Sequence, residues 1–201
     1  WCPRPEKADN PQITSVCWPQ PSQSTVVSLA EEAGLPGHLP FAIMTAESAL
    51  DPSVTSPAGA RGLMQLMPKL AVEIANEKWP GQPFDPDFLF RASTNAELGT
   101  TELSRLSKRF NQAEIDRSLP LVIAGYNGGA EAVERWLGAW GGPIKADEWS
   151  EFIGYSETRK YVRRVLGYLQ TYRLAYGDSQ SDQASESNTE VSNTNGSPGN
   201  E

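Results

Sequence analysis

Apolar residues recur along the middle of the chain at intervals of three and four, the spacing that lines one face of a helix. Val26, Val27, Leu29, Ala30 and Ala33 predict a short helix that stops before Gly34. Pro40 suits the first turn of a second, where its missing N–H costs nothing, and that helix should run to about Leu50, ahead of Asp51-Pro52. A third follows Pro68, and a fourth spans Thr94 to Phe110. Leu119 to Asn127 and Ala130 to Trp140 give two more, separated by the stop signal Gly128-Gly129. In the last, Thr158, Tyr161 or Val162, Val165, Leu169, Tyr172 and Tyr176 fall on one face, while Lys160, Arg163, Arg164 and Arg173 mostly fall elsewhere. No stretch alternates apolar with polar residues convincingly, and no hairpin dipeptide stands out, so the pattern predicts an all-α domain.

The two ends of the chain differ from its middle. Pro3, Pro5, Pro11, Pro19 and Pro21 crowd the first 22 residues, which lack apolar periodicity and are expected to run as an extended lead-in over the domain. From Gly177 onward Val191 is the only large apolar residue among Ser, Asn, Gln, Thr, Gly and acidic residues, a composition that predicts a disordered tail. The expected organisation is a Pro-rich lead-in over 1–17, a folded unit over 18–176 and a tail over 177–201.

Composition narrows the function classes. The chain has 201 residues, 38% apolar and 21% charged, with a net charge of -8. Asp178, Asp182, Glu186, Glu190 and Glu201 lie in the tail, which has no Lys or Arg, so the rest sets 17 basic residues against 20 acidic ones. A nearly neutral fold offers no basic field for a nucleic acid. No run approaches the roughly 20 apolar residues of a membrane span. Two cysteines, one histidine (His38) and no CxxC or HExxH motif argue against a metal site, and no cofactor is expected. A Cys–His nucleophile would need Cys2 or Cys17, both in the lead-in, to meet His38, and no motif supports that.

The candidate chemistry begins at Glu47, whose helical neighbours at i−4, i−3 and i+3 are Ile43, Met44 and Leu50. So much apolar surface desolvates a carboxylate and favours its protonated form, the state a general acid needs. Taken alone, Glu47 is better explained as a carboxylate at the rim of the helix, reaching water. Ser56-Pro57-Ala58-Gly59-Ala60-Arg61-Gly62 is a glycine-bearing turn that lets backbone approach a ligand, and it leads into Leu63-Met64-Gln65-Leu66-Met67-Pro68. Gln65 is a neutral donor and acceptor suited to an uncharged polar ligand such as a sugar, or else a turn-stabilising amide. Met64 and Met67 have core filling as their simplest role.

These segments, in order, resemble the catalytic domain of the soluble lytic transglycosylases. Phe84-Asp85-Pro86, Asn95-Ala96-Glu97-Leu98-Gly99, Gly125-Tyr126-Asn127-Gly128-Gly129 and Tyr155-Ser156-Glu157-Thr158-Arg159-Lys160-Tyr161-Val162 extend the likeness over about Trp18 to Gly177. The resemblance implies a goose-type-lysozyme-like helical fold, with Glu47 as the single catalytic acid and base. It implies a glycan groove lined by Ser56, Gln65, Met67, Tyr126, Glu157 and Tyr161, with Asn127 fixing the motif around Tyr126. From the residues themselves, Glu157 is also explained by the macrodipole of a helix N-terminus, and Tyr161 by core packing. Two positions depart from the family's pattern. Leu70 stands where Thr is usual, losing a polar contact, and Gly128-Gly129-Ala130 replaces Ala-Gly-Pro.

The activity implied is cleavage of the β-1,4 bond between N-acetylmuramic acid and N-acetylglucosamine in peptidoglycan glycan strands, giving 1,6-anhydromuramyl ends. The alternatives are a lysozyme-type muramidase, with water as acceptor, and a catalytically weak peptidoglycan-binding envelope module. The peptidoglycan assignment places the chain in the bacterial cell envelope, periplasmic or peripherally associated with the outer membrane, as a monomer. In that oxidising setting Cys2 and Cys17 are expected to form a disulfide.

Overall fold

The computed structural model describes residues 11–110, 115–140, 149 and 151–177. Every regular element among them is helical, apart from isolated bridges that join Arg61 to Thr55 and to Leu66. The order is α1 (Pro11–Cys17), α2 (Gln23–Glu32), α3 (Leu39–Ser48), α4 (Pro68–Lys78), a 3-10 turn (Pro86–Phe90), α5 (Ala92–Phe110), α6 (Ile115–Gly128), α7 (Ala130–Trp140) and α8 (Ser156–Tyr176). The all-α expectation holds.

The lead-in needs a correction. Residues 11–17 form α1 where an extended run was expected. Pro11 opens the helix, a position that loses no hydrogen bond, and no further proline interrupts Gln12 to Cys17. Residues 1–10, with Cys2, lie outside the described residues, as does the tail beyond Gly177. Helix α6 also starts earlier than expected, at Ile115, and carries Pro120 inside it. The 3-10 turn at Pro86 was not anticipated. Asp85 caps it, accepting from the Asp87 N–H at 2.9 Å.

Helix α3 is the centre of the domain. Leu39, Pro40, Phe41, Ala42, Ile43, Met44 and Ser48 are all buried, so apolar residues surround it rather than forming one stripe. Its most extensive partner is α8, which presents Tyr161, Val162, Val165, Leu169 and Tyr172 to the core. Burying a side chain such as Phe41 completely stabilises the fold by roughly 1.5–3 kcal/mol. A smaller cluster of Leu66, Ala71, Ile74, Ala75, Leu89 and Leu98 sits between α4, the 3-10 turn and α5, and Tyr126 packs against both clusters.

The single histidine is a brace. His38 precedes α3 and is buried; its Nε2 lies 2.9 Å from the Gly177 carbonyl oxygen and its Nδ1 3.0 Å from Gln20 Nε2. A carbonyl only accepts, so Nε2 carries the proton and Nδ1 accepts from the glutamine amide. Trp18 and Pro19 are tied to the same end of α8, through Tyr176 Oη to the Trp18 carbonyl (2.6 Å) and Tyr172 Oη to the Pro19 carbonyl (3.2 Å).

Candidate active site

Glu47 stands one residue before the end of α3, half-buried. Beyond it the chain leaves the helix abruptly: Ala49 and Leu50 both take left-handed backbone, at φ 52 and 68. For residues with a Cβ that conformation costs roughly 1–2 kcal/mol each. Bonds on either side hold it. The Ala49 N–H donates to the Met44 carbonyl, and buried Ser48 Oγ donates to the Leu63 carbonyl at 2.8 Å. Ser48 thereby ties the end of the Glu47 helix to the loop carrying Gln65.

That loop is shaped from within by Asn95 at the start of α5. Its fully buried side chain accepts from the Met64 N–H at 2.7 Å and donates to the carbonyls of Arg61 and Leu89 at 2.8 and 2.9 Å. Gly62, at φ 76, passes so close that a Cβ there would sit 2.1 Å from the Leu89 oxygen and 2.3 Å from Asn95 Nδ2. Only glycine fits that conformation and that approach. Gln65 is itself left-handed, at φ 47.

The predicted residues divide by role. Tyr161, on α8, donates through Oη to Glu47 Oε1 at 2.6 Å, and its ring packs in the main core. Core packing of Tyr161 therefore holds, and its hydroxyl is spent on Glu47. Tyr126 donates to the Met64 carbonyl at 2.8 Å. Gln65 Nε2 is committed to its own turn, donating to the carbonyls of Gly62 (2.9 Å) and Val54 (3.1 Å). Ser56 closes the neighbouring turn by accepting from the Ala60 N–H at 3.0 Å. Met64 is core filler with no exposure, whereas Met67 is 44% exposed. Asn127 accepts from Thr158 Oγ1 at 2.7 Å, joining the end of α6 to the first turn of α8. Glu157 is exposed one turn before Tyr161 on α8.

Gln65, Met67 and Tyr126 share a cavity of about 470 Å³ that continues past Leu70 to Glu102, Arg105 and Arg109. Glu47, Ser56, Glu157 and Tyr161 are not among its lining residues. A second hollow, about 500 Å³, lies among Pro19, Gln20, Leu50 and Tyr176, with no titratable group in its lining except Tyr176. Among the described residues no group of three His, Cys, Asp or Glu side chains could hold a metal ion.

Among the described residues, burial raises two carboxyls, that of Glu102 beside Arg105 on α5 and that of Glu47. Burial pushes the Glu47 carboxyl above the usual carboxylate range; the Tyr161 hydrogen bond and the Arg164 charge oppose this, and the Glu157 charge adds to it. The C-terminal end of α3, where carbonyl dipoles converge, also disfavours a negative charge. The Tyr161 phenol is raised well above its ordinary value, first by burial and then by Glu47, so it remains a donor. The site thus pairs a carboxyl inclined to hold its proton with a permanent donor that supports it once the proton has gone.

Comparison with known proteins places this geometry in a family. The transglycosylase SLT domain model matches residues 25–147, from α2 through α7. The chain is 39% identical over 150 residues to the soluble lytic murein transglycosylase of Escherichia coli (strain K12), a match covering 72% of this chain and 22% of that protein. It is 34% identical over 114 residues to the membrane-bound lytic murein transglycosylase C of Glaesserella parasuis serovar 5, covering 55% and 31% of the two. Among solved structures, the 70 kDa soluble lytic transglycosylase of Escherichia coli superposes with a TM-score of 0.72 at 32% identity, over 83% of this chain and 26% of that one. The lytic transglycosylase Slt of Pseudomonas aeruginosa, solved as an inactive Glu-to-Gln mutant, gives 0.68 at 34% identity, over 79% and 25%. The chain therefore spans about a fifth to a third of the length of these curated relatives. Helix α8, which supplies Tyr161, lies beyond the family model's match but belongs to the same packed core as α3. With that model covering more than half of its residues, the Glu47 helix and the Gln65 loop among them, this chain belongs to the transglycosylase SLT domain family.

Proposed function

We propose that the chain is the catalytic unit of a lytic murein transglycosylase, cleaving the β-1,4 bond between N-acetylmuramic acid and N-acetylglucosamine and leaving a 1,6-anhydromuramyl end. The observation that carries the proposal is the Glu47 carboxyl, raised by burial and bonded to Tyr161 at 2.6 Å. Protonated Glu47 gives its proton to the glycosidic oxygen as the bond from that oxygen to the muramyl anomeric carbon breaks. The N-acetylglucosamine hydroxyl leaves, and the substrate's own acetamido oxygen meets the electron deficiency. The Glu47 carboxylate then takes the proton of the muramyl 6-hydroxyl as that oxygen bonds to the anomeric carbon. Glu47 ends as it began, and no water is consumed. Substrate assistance of this kind removes the need for a second catalytic carboxylate.

Tyr161 supports the carboxylate between the two steps. Gln65, Met67 and Tyr126 take the glycan along the cavity they share, Ser56 and Glu157 contact it, and Asn127 acts indirectly by holding Tyr126's helix against α8. The Pseudomonas aeruginosa relative that is inactive as a Glu-to-Gln mutant supports dependence on one glutamate. The test is mass analysis of products from purified peptidoglycan. Muropeptides lighter by one water than lysozyme products support the reading; products at the hydrolysed mass sink it in favour of a muramidase, and absence of products in favour of a binding module.

The pH dependence follows from the same pair. As a general acid Glu47 must start protonated, so activity falls as pH rises through its pKa. Tyr161→Phe removes a hydrogen bond that favours the charged form, so the alkaline limb of kcat/KM is expected to move to higher pH. A limb that stays in place or moves down would show that Tyr161 does not act on Glu47's proton.

The cellular setting is the bacterial envelope, periplasmic or at the periphery of the outer membrane. The soluble and membrane-bound murein transglycosylases among the relatives support this, and among the described residues no helix is long and apolar enough to cross a membrane. In that oxidising compartment a Cys2–Cys17 disulfide would close a loop worth up to about 3 kcal/mol. The described residues include no free cysteine. Alkylation of the unfolded protein before and after reduction tests it: two adducts only after reduction are expected, and adducts without reduction would exclude the bond.

A further inference from the structure

We infer that Glu102 binds a primary ammonium group on the stem peptide of the murein strand, as a specificity-determining residue at the far end of the Tyr126 cavity. The inference rests on the murein reading and extends it from the sugars to the peptide. The cavity of about 470 Å³ that holds Gln65, Met67 and Tyr126 runs on to one face of α5, where Glu102, Arg105 and Arg109 follow each other at three- and four-residue spacing. Tyr126 links that face to Glu47. Its phenol is raised first by burial and then by the charges of Glu47 and Glu102, so both carboxyls act on the same ring. A strand that is held at Glu47 and passes Tyr126 along the cavity therefore arrives at Glu102.

The charges on that wall do not satisfy one another. Arg109 donates Nε and Nη2 to the two oxygens of Glu134, at 2.7 and 2.9 Å, and Nη1 to Glu131 at 3.2 Å. Arg105 pairs through Nη2 with Glu77 on α4, and its Nη1 comes only to 3.5 Å from Glu102, too long for a good charge-assisted hydrogen bond. The Glu102 side chain is nevertheless only 17% exposed. Burial pushes its carboxyl up, Arg105 and Arg109 oppose this, and the charge of Glu73, which faces the cavity from α4, adds to it. A carboxylate so enclosed and so loosely paired is stabilised by a cation that brings its own hydrogen bonds. The N-acetylated sugars offer none, since their nitrogens are amides. The peptide does: it is joined to the muramyl lactyl group through its N-terminus, so its ammonium is the side-chain amine of a diamino acid, the group through which neighbouring peptides cross-link.

The test uses the full chain carrying Glu47→Gln, so that fragments bind without turnover, and measures affinities by calorimetry. Two ligands are compared: an uncrosslinked murein fragment whose peptides carry a free side-chain amine, and the same fragment after acetylation of that amine. The free-amine fragment should bind at least roughly tenfold better, the usual contribution of a hydrogen bond to a charged group. Adding Glu102→Gln should bring the ratio close to one by weakening the free-amine fragment alone; unchanged affinity for the acetylated fragment shows that the cavity is intact. Glu73→Gln, which removes an exposed carboxylate facing the same cavity, should leave most of the ratio. A parent that binds both fragments equally, or a Glu102→Gln protein that keeps the ratio or loses both affinities alike, overturns the ammonium site and leaves the murein reading standing. So does a loss in Glu73→Gln as large as that in Glu102→Gln, which would assign the preference to a diffuse acidic field. Failure of the Glu47→Gln parent to bind either fragment overturns both.

Discussion

Glu47→Gln is expected to lower turnover of purified peptidoglycan by at least roughly a hundred- to ten-thousandfold, the usual contribution of general acid–base catalysis. Gln keeps the size of Glu47 and can still accept from Tyr161, but it has no proton to give and no base to regenerate. Because one group serves both steps of the proposed reaction, nothing else takes over. Glycan binding should persist, and Glu157→Gln should act mainly on binding, since its proposed role is contact. Wild-type turnover in Glu47→Gln would refute the mechanism whatever the product.

The same substitution should make the folded protein more stable at neutral and alkaline pH. Glu47's folded pKa lies above its unfolded value, chiefly because burial penalises the charge. A group of that kind contributes stability below its unfolded pKa and loses it as pH rises through the folded one. Above that range the ionised carboxylate burdens the native state, and Gln removes the burden. Melting temperatures of the two proteins should therefore converge in acid and separate as pH rises, with Glu47→Gln the higher. A lower melting temperature for Glu47→Gln at neutral pH would mean that the ionised carboxylate stabilises the fold, contrary to its direction of shift. Stability given up at a catalytic group is a common feature of enzyme sites.

Asn95→Ala carries the largest expected effect on folding. It removes an acceptor for the Met64 N–H and donors for the Arg61 and Leu89 carbonyls, all from a fully buried side chain. A buried polar group left unsatisfied costs about 1–3 kcal/mol, so a loss of roughly 3–5 kcal/mol is expected, a large part of a typical total of about 5–15 kcal/mol. Asn95→Asp should not rescue it, because a carboxylate would face two carbonyl oxygens it cannot bond. Urea unfolding measures the loss, and a midpoint equal to the parent's would show that the loop does not depend on Asn95. Because Met64's carbonyl also accepts from Tyr126, partial unfolding of the loop should reach the groove as well.

Much of the helical frame is local in origin and was legible as such. The last helix can be read from its three-and-four spacing, and α7 begins after Gly129 as the double glycine predicts, because period and stop residues act within a few positions. Proline density in the first 22 residues points to extension, yet a single proline at a helix start is compatible with a helix, and α1 forms behind Pro11. The desolvation of Glu47 was legible from its apolar helical neighbours, whereas its candidate role rested on the ordered segments around it.

What the residues by themselves determined is the set of helices, their amphipathic faces and the chemical types available at the site. Tertiary structure alone decided which of those types meet. Tyr161 reaches Glu47 from 114 residues away because α8 crosses α3 in the core, and no local period encodes that crossing. It also separated two methionines three residues apart, burying Met64 under Asn95's bond and leaving Met67 at the cavity. Likewise it committed the Gln65 amide nitrogen to a turn and gave Asn95, in the sequence only the first residue of one family-like segment, the task of holding the loop. Burial and hydrogen-bond partners are properties of the packed chain: the free energy of a polar group depends on what surrounds it in three dimensions, not on its neighbours in sequence.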